Sequence, residues 1–214
     1  MRLFLSRVHY PVTTLGRGRR IGIWFEGCSI RCPGCVSRDT WEFGCGETTV
    51  EAVCDSLRED LKSADGVTIS GGEPFDQPEA LEALLHWLRG NFAGDILVFS
   101  GHPWEQLSER ITRWNGQIDV LISDPFDPQA GQTLALRGSD NQRVHLLTSL
   151  AHARYANLPS AKCDHKNPAL DIVFDGNKVW MAGIPRSGDM ERLRQKLLEA
   201  GFSAQTSETT RILA

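Results

Sequence analysis

Hydrophobic residues follow two different periods along the first 150 residues, and the periods alternate. Short apolar runs bounded by glycine, proline or polar residues are typical of buried strands. The five predicted strands are residues 21–26, 66–70, 95–100, 118–122 and 143–147. Between them, apolar residues recur at helical spacing behind a capping residue or a proline. The three predicted helices are residues 48–63, 78–89 and 104–114.

Strands that alternate with helices favour a mainly parallel sheet whose functional loops lie at the carboxyl ends of the strands. Five strands are too few to close an eight-stranded barrel. We therefore predict an α/β fold over residues 1–150, built as an open or partial (β/α) barrel.

The pattern changes after residue 150. Residues 151–168 contain two prolines and no clear period, so we interpret their stretch as a connecting segment. Ala169–Phe174 and Lys178–Met181 flank an Asp-Gly-Asn turn and predict a hairpin. An amphipathic helix is predicted over Asp189–Ala200. We expect residues 151–214 to form a small α+β extension, hairpin plus helix, packed on the core domain.

The composition is that of a soluble globular protein, with 41% hydrophobic and 23% charged residues. The net charge of −4 disfavours strong binding to nucleic acid. No apolar stretch approaches the roughly 20 residues that cross a bilayer. Arg7 and His9 interrupt the first apolar run too early for a signal peptide. We expect a cytoplasmic protein with no membrane or nucleic-acid partner.

Three of the six cysteines are bunched on one loop, directly after the first predicted strand. Cys28, Cys32 and Cys35 have the spacing C-x3-C-x2-C, which makes disulfides awkward and indicates a metal site in a reducing compartment. Three thiolates can bind three irons of a four-iron cluster, which leaves the fourth iron open to an exchangeable ligand. A plain ferredoxin loop, or a structural zinc site with Cys45 as fourth ligand, is the alternative.

A glycine-rich turn, Gly71-Gly72-Glu73-Pro74, follows the second predicted strand. Glycines let a backbone approach a ligand closely, and carbonyls with a carboxylate can receive an ammonium group. The tetrapeptide alone also makes ordinary loops, but here it comes one strand–helix unit after the cysteine loop. The sequence shows no convincing acid–base pair or nucleophilic triad. The two motifs together predict chemistry that a cofactor supplies.

The cysteine spacing and the glycine turn together resemble the radical S-adenosylmethionine (SAM) superfamily. In that family SAM binds the fourth iron, and an electron from the cluster breaks a carbon–sulfur bond to give a 5′-deoxyadenosyl radical. The resemblance implies that Cys28, Cys32 and Cys35 bind a [4Fe-4S] cluster. It also implies a set of residues that contact SAM at its methionine and adenine ends. These residues are Gly71, Gly72 and Glu73 for methionine, and Gly34 and Val36 for adenine.

Three further segments resemble the activases of anaerobic (class III) ribonucleotide reductase within the superfamily. They are Cys32–Trp41, Asp119–Phe126 and Arg137–Arg143. This resemblance implies that the radical passes to a backbone glycine of a large partner enzyme, with flavodoxin or ferredoxin as reductant. In the last segment, three residues are candidates either for SAM contacts or for a loop hydrogen-bond network. They are Arg137, Ser139 and Asn141.

Two features depart from the activases and keep other functions open. Val36 follows the third cysteine, where the activases often have an aromatic residue, and the chain continues well past the last matching segment. One alternative is a radical SAM enzyme that acts directly on a small molecule or a peptide. Another is a cluster-bearing electron-transfer or regulatory module.

The remaining candidates have no assigned role. His102, after the third predicted strand, is expected either to touch the site or to lie at the surface. Cys45, Cys54 and Cys163 are scattered along the chain, and free cysteines commonly pack as small hydrophobic residues.

Overall fold

A seven-stranded sheet organises the computed structural model of this chain, which describes residues 1–164, 169–175 and 178–202. Its strands are β1 (Arg2–Val12), β2 (Arg20–Phe25), β3 (Glu47–Thr49), β4 (Gly66–Gly71), β5 (Asp95–Phe99), β6 (Val120–Ser123) and β7 (Arg143–Leu146). They lie in the order β3-β1-β2-β4-β5-β6-β7. β2, β4, β5 and β6 run parallel, and the pairs that add β1, β3 and β7 are antiparallel. The predicted α/β fold with a mainly parallel central sheet is confirmed.

Within the described residues, five α-helices accompany the strands. They are α1 (Val50–Leu61), α2 (Pro78–Asn91), α3 (Trp104–Arg113), α4 (Ser149–Tyr155) and α5 (Asp189–Glu199). The Thr49 hydroxyl caps α1 by accepting a hydrogen bond from the Ala52 N–H. Within the described ranges, none of the helices has the length and apolarity to cross a bilayer.

The main hydrophobic core lies between α1, α2 and α3 and one face of the sheet. Each central strand contributes every second residue to this core, because successive side chains of a strand point to opposite faces. The contributors are Ile21, Ile23, Phe25, Val67, Ile69, Ile96, Val98 and Leu121. On α2, Leu81, Leu84, Leu85 and Leu88 are fully buried against them. Each such leucine stabilises the fold by about 1.5–3 kcal/mol relative to an exposed position.

Two strands and one helix, β1, β3 and α4, were not predicted. β1 is mostly half-exposed, and its polar residues hide the alternation on which the prediction depends. β3 has only three residues and replaces the first turn of the helix predicted from residue 48. α4 begins at the capping hydroxyl of Thr148 and enters the segment that we interpreted as a connection. Its seven residues are too few for a helical period to be visible.

The C-terminal extension contains a separate hairpin, β8 (Leu170–Asp175) and β9 (Lys178–Gly183), followed by α5. Trp180 of the hairpin stacks on His9, with ring centroids 3.8 Å apart, and meets Trp24 edge-on at 5.3 Å. The hairpin therefore contacts β1 and β2 on the sheet face opposite the three helices. The two turn residues 176–177 and the end of the predicted extension, residues 203–214, lie outside the described residues.

Candidate functional site

A cavity of about 420 Å³ opens at the carboxyl ends of the parallel strands. The cysteine loop after β2, the glycine turn after β4 and residues 100–101 after β5 all line it. Open α/β sheets bind their ligands at this edge, and small-molecule sites typically have volumes of about 300–1,000 Å³. The predicted site residues that line the cavity are Cys28, Cys32, Gly34, Cys35, Val36, Gly71, Gly72 and Glu73.

The start of the cysteine loop is held by hydrogen bonds to residues outside the loop. Gly27, with φ of +93°, starts the loop and donates from its N–H to the Thr40 carbonyl at 2.8 Å. Ser29 donates from its N–H and its hydroxyl to the carboxylate of Asp76, at 2.7 and 2.9 Å. Gly34, with φ of +75°, occupies the left-handed region that glycine adopts without strain. The start of the loop is therefore positioned by protein contacts alone.

The three thiols of this loop are free and border one cavity. Burial raises the pKa of the Cys28 and Cys32 thiols, and it raises the pKa of Cys35 to about 11. Iron binds thiolates rather than thiols, so iron held by these cysteines at neutral pH would displace their protons.

The donor set distinguishes between a single ion and a cluster. In the part of the chain that the structure describes, no three His, Cys, Asp or Glu side chains converge on one ion position. A structural zinc site needs four ligands around one ion, and its proposed fourth ligand, Cys45, is exposed and outside the cavity. In a four-iron cluster each thiolate binds a different iron, so three thiols around a common cavity fit it.

The glycine turn packs directly on the cysteine loop. The N–H of Gly72 donates to the Phe25 carbonyl, and the N–H of Glu73 donates to the Gly27 carbonyl, both at 2.8 Å. A Cβ at Gly72 would lie 2.0 Å from the Gly27 oxygen, and one at Gly71 would lie 2.4 Å from the backbone of Phe25. Glycine is therefore required here by the neighbouring backbone, in addition to any close approach of a ligand.

Glu73 joins the glycine turn to the turn after β5. Its side chain is 1% exposed, and its carboxylate accepts hydrogen bonds from the Ser100 hydroxyl, the Gly101 N–H and the Phe75 N–H at 2.8–3.0 Å. Burial raises the pKa of this carboxyl to about 6 in spite of these donors. The carboxylate thus holds two cavity walls together while it borders the space between them.

Three predicted SAM contacts do not reach the cavity. The guanidinium of Arg137 is buried and donates to the backbone carbonyls of residues 158–159 at 2.8 and 2.9 Å. The Ser139 hydroxyl and the Asn141 amide bond to backbone atoms of residues 125–127 at 3.0 and 2.9 Å. Their polar groups hold the long loop after β6 in place, which corresponds to the loop network rather than to the ligand contact.

The other candidates also lie away from the cavity. The His102 ring approaches the Asp76 carboxylate at 3.5 Å. Cys54 is buried in the main core, and the Cys163 thiol donates to the Leu134 carbonyl at 3.1 Å.

Part of the cavity lining was not predicted from the sequence. It comes from the long loop after β6 and from the extension. Phe126, Gly138 and Gln142 lie in the activase-like segments without having been assigned to the site, and no local motif marks the rest, which tertiary packing brings to the cavity. The unpredicted lining residues include Phe126, Gln132, Gly138, Gln142, Ile184, Pro185 and Met190.

Comparison with known proteins adds to this geometry. The family described as a 4Fe-4S single cluster domain matches residues 14–145. An anaerobic ribonucleoside-triphosphate reductase-activating protein of Escherichia coli (strain K12) is 32% identical over 153 residues, which cover 65% of this chain and 96% of that protein. The protein of the same name from Haemophilus influenzae is also 32% identical, covering 64% and 94%. A pyruvate formate-lyase-activating enzyme of Listeria monocytogenes is 39% identical over 36% of this chain and 34% of that enzyme.

Proposed function

We propose, from the premise that this chain belongs to the 4Fe-4S family in its radical SAM activating-protein group, that it activates an anaerobic ribonucleotide reductase by forming a glycyl radical on it. One observation carries the proposal. The cysteine loop and the glycine turn, both within the residues that the family matches, border one cavity and are hydrogen-bonded to each other.

The cluster ligands in this proposal are Cys28, Cys32 and Cys35. When bound, the [4Fe-4S] cluster supplies the electron for reductive cleavage of SAM. The protein carries the three thiols on a loop whose first residues are hydrogen-bonded to Thr40 and Asp76, which positions the start of the loop before the cofactor binds.

The glycine turn is proposed to hold the methionine end of SAM. Gly71, Gly72 and Glu73 offer backbone carbonyls and a buried carboxylate at the cavity wall, which suit an ammonium group. Gly34 and Val36 lie on the cysteine loop at the same cavity, and we assign them to the adenine end.

The architecture is proposed to be a partial (β/α) barrel, with residues 1–150 as the radical SAM core domain and residues 151–214 as its extension. The sheet face that carries Trp24, Ser70 and Phe99 would be the inner face of this barrel, because these residues line the cavity.

The partners in this proposal are the reductase that receives the radical and a flavodoxin or ferredoxin that reduces the cluster. We place these reactions in the cytoplasm, because the ligand thiols must stay reduced to bind iron.

The test is an anaerobic assay of the whole chain. After reconstitution of the cluster, the protein is mixed with dithionite and SAM, and 5′-deoxyadenosine is measured by chromatography. An anaerobic ribonucleotide reductase is then added, and its glycyl radical is measured by electron paramagnetic resonance. Both signals are expected, and both should disappear when SAM is omitted. A four-iron cluster without 5′-deoxyadenosine would contradict an enzymatic role and leave an electron-transfer or regulatory module.

A second candidate is a radical SAM enzyme that acts on a small molecule or a peptide. The observation in its favour is that the extension contributes Ile184, Pro185 and Met190 to the cavity, beyond the matched residues 14–145. SAM cleavage without a glycyl radical on any anaerobic ribonucleotide reductase tested would favour this candidate.

A further inference from the structure

The C-terminal extension forms one side of the cofactor cavity. The residues that it contributes lie between the end of β9 and the start of α5. They are Gly183, Ile184, Pro185, Ser187 and Met190. The family match ends at residue 145, so the matched part of the chain leaves this side of the cavity to the extension.

One polar contact attaches the hairpin to the loop between β1 and β2. The carboxylate of Asp171 accepts hydrogen bonds from the N–H groups of Thr13 and Thr14 at 2.7 and 3.1 Å. It also accepts from their hydroxyls at 2.7 and 2.9 Å. Hydrogen bonds to an ionised acceptor are stronger than neutral ones. The extension is therefore attached to the core through a specific polar contact.

A second contact fixes the segment that borders the cavity. The side-chain amide of Gln132 donates to the Pro185 carbonyl at 3.0 Å and accepts from the Ser187 N–H at 3.1 Å. Gln132 belongs to the long loop after β6 and borders the cavity itself. The segment between β9 and α5 is thus held against the loop of the core that completes the site.

Three of the side chains that this segment contributes to the cavity are apolar, and Ser187 is the polar one. Ile184, Pro185 and Met190 border the cavity and are each half-buried. The ammonium group of SAM needs polar partners, and the glycine turn offers backbone carbonyls and the Glu73 carboxylate for it. The adenosine half contains an aromatic ring whose flat faces can pack against an apolar wall.

We infer that Ile184, Pro185 and Met190 are part of the SAM site and cover the adenosine half of the bound molecule. The inference rests on the proposed function and deepens it, because it assigns to the extension a direct contact with the cofactor. By covering the adenosine half, the wall also excludes water from the cavity.

The test is the affinity for SAM of the whole chain with its cluster reconstituted and oxidised, so that no turnover occurs. Isothermal titration calorimetry is used on Ile184→Ala and Met190→Ala. Loss of several half-buried methylene or methyl groups is expected to weaken SAM binding by about tenfold in each variant. Met190→Leu, which keeps the apolar volume, is expected to bind SAM within about twofold of the wild type.

The matched control is Leu198→Ala. Leu198 also lies on α5, but it is 45% exposed and is absent from the cavity lining. Its variant is expected to bind SAM as the wild type does. Cluster content and circular dichroism are compared for all variants, so that a loss of fold is recognised.

A second measurement does not depend on a substitution. Amide hydrogen exchange of residues 183–190 in the wild type is expected to slow when SAM binds. Unchanged affinity in both alanine variants, together with unchanged exchange in this segment, would overturn the inference alone. A wild-type protein that does not bind SAM at all would overturn the proposed function and the inference with it.

Discussion

The two ends of the parallel strands are built from different kinds of residues. At the amino end, Arg20 and Asp95 form an ion pair of 2.8 Å in which both side chains are 0% exposed. Thr68, Tyr155 and Arg154 also take part in this network. Arg20 donates to Thr68 at 2.6 Å, Tyr155 donates to Asp95 at 3.0 Å, and Arg154 forms a second ion pair with Asp95 at 2.9 Å. At the carboxyl end, the strands finish in glycine turns and in a loop of free thiols around a cavity.

We interpret the amino end of the strands as a region that stabilises the fold and the carboxyl end as the region that binds the cofactor. At the amino end, the buried polar groups bond to each other and offer little to a ligand, so their loss would be felt in the free energy of unfolding. At the carboxyl end, backbone carbonyls, thiols and one carboxylate border open space. Their loss would be felt in cofactor binding, with a smaller effect on the fold.

The largest expected effect is at the carboxyl end. Cys32→Ala removes one of three thiols that share the cavity and should abolish the cluster chromophore and the cleavage of SAM. The free energy of unfolding of the metal-free protein should change little. Absorbance after reconstitution, 5′-deoxyadenosine and urea unfolding measure the three quantities. The control is Cys45→Ala, which removes an exposed thiol outside the cavity and should keep the cluster.

The next largest effect is at the amino end. Arg20→Met leaves the carboxylate of Asp95 buried with fewer partners, and the free energy of unfolding should fall by about 3–5 kcal/mol. SAM cleavage per cluster should be retained at low temperature. Arg58→Ala, which removes an exposed ion pair with Asp55, is the control and should cost less than about 1 kcal/mol. Equal losses in the two variants would contradict the proposed division between the ends.

Gly72→Ala tests the contact between the two motifs. The new Cβ would lie 2.0 Å from the Gly27 oxygen and 2.8 Å from the Thr40 oxygen, so the cysteine loop must move. We expect cluster content after reconstitution to fall several-fold and the protein to lose about 1–3 kcal/mol of stability. Gly90→Ala is the control, since no described heavy atom lies within 4 Å of its new Cβ. A normal cluster in Gly72→Ala would show that the loop adapts.

The smallest expected effect concerns Asp124, at the carboxyl end of β6. Burial alone would raise the pKa of its carboxyl, but hydrogen bonds from Arg143 and Ser123 outweigh burial and lower it. Because the folded-state pKa lies below the unfolded value, this carboxylate stabilises the fold above the unfolded pKa, and the contribution is lost as the pH falls through the folded pKa. Arg143 is partly exposed, so the loss should be below about 1 kcal/mol.

The measurement for Asp124 is urea unfolding of the wild type and of Asp124→Asn at pH 6 and at pH 3. The difference between the two proteins should be larger at pH 6. A difference of several kcal/mol would show that the carboxyl end of the sheet also carries much of the stability.

Burial explains why much of the fold was predictable. Ile21, Ile23 and Phe25 on β2 are fully buried, and so are the leucines of α2, so the periods of the elements are visible in the chain. β1 pairs with two strands yet is mostly half-exposed, and its sequence keeps no such period. β2 and α2 were therefore predictable from their buried residues, whereas β1 was missed because its half-exposed residues keep no regular period.

The candidate site divides in the same way. The cysteine loop and the glycine turn are each contiguous in the chain, so their chemistry is visible as a motif. The carbonyls that bind Arg137 belong to residues 158–159, and the partner of Gln132 is the backbone of residues 185–187. Only tertiary packing brings those groups together, so no residue spacing along the chain predicts these contacts.

The contact between Gly72 and Gly27 has a consequence for the comparison of relatives. A side chain at Gly72 would collide with backbone that belongs to the fold itself, whether or not a cofactor is present. A descendant that lost its radical chemistry would still be under steric selection to keep this glycine. A retained glycine at this position is therefore weak evidence that a distant relative is active. Retained cysteines at the positions of Cys28, Cys32 and Cys35 are stronger evidence, because no comparable steric constraint of the fold requires a thiol there.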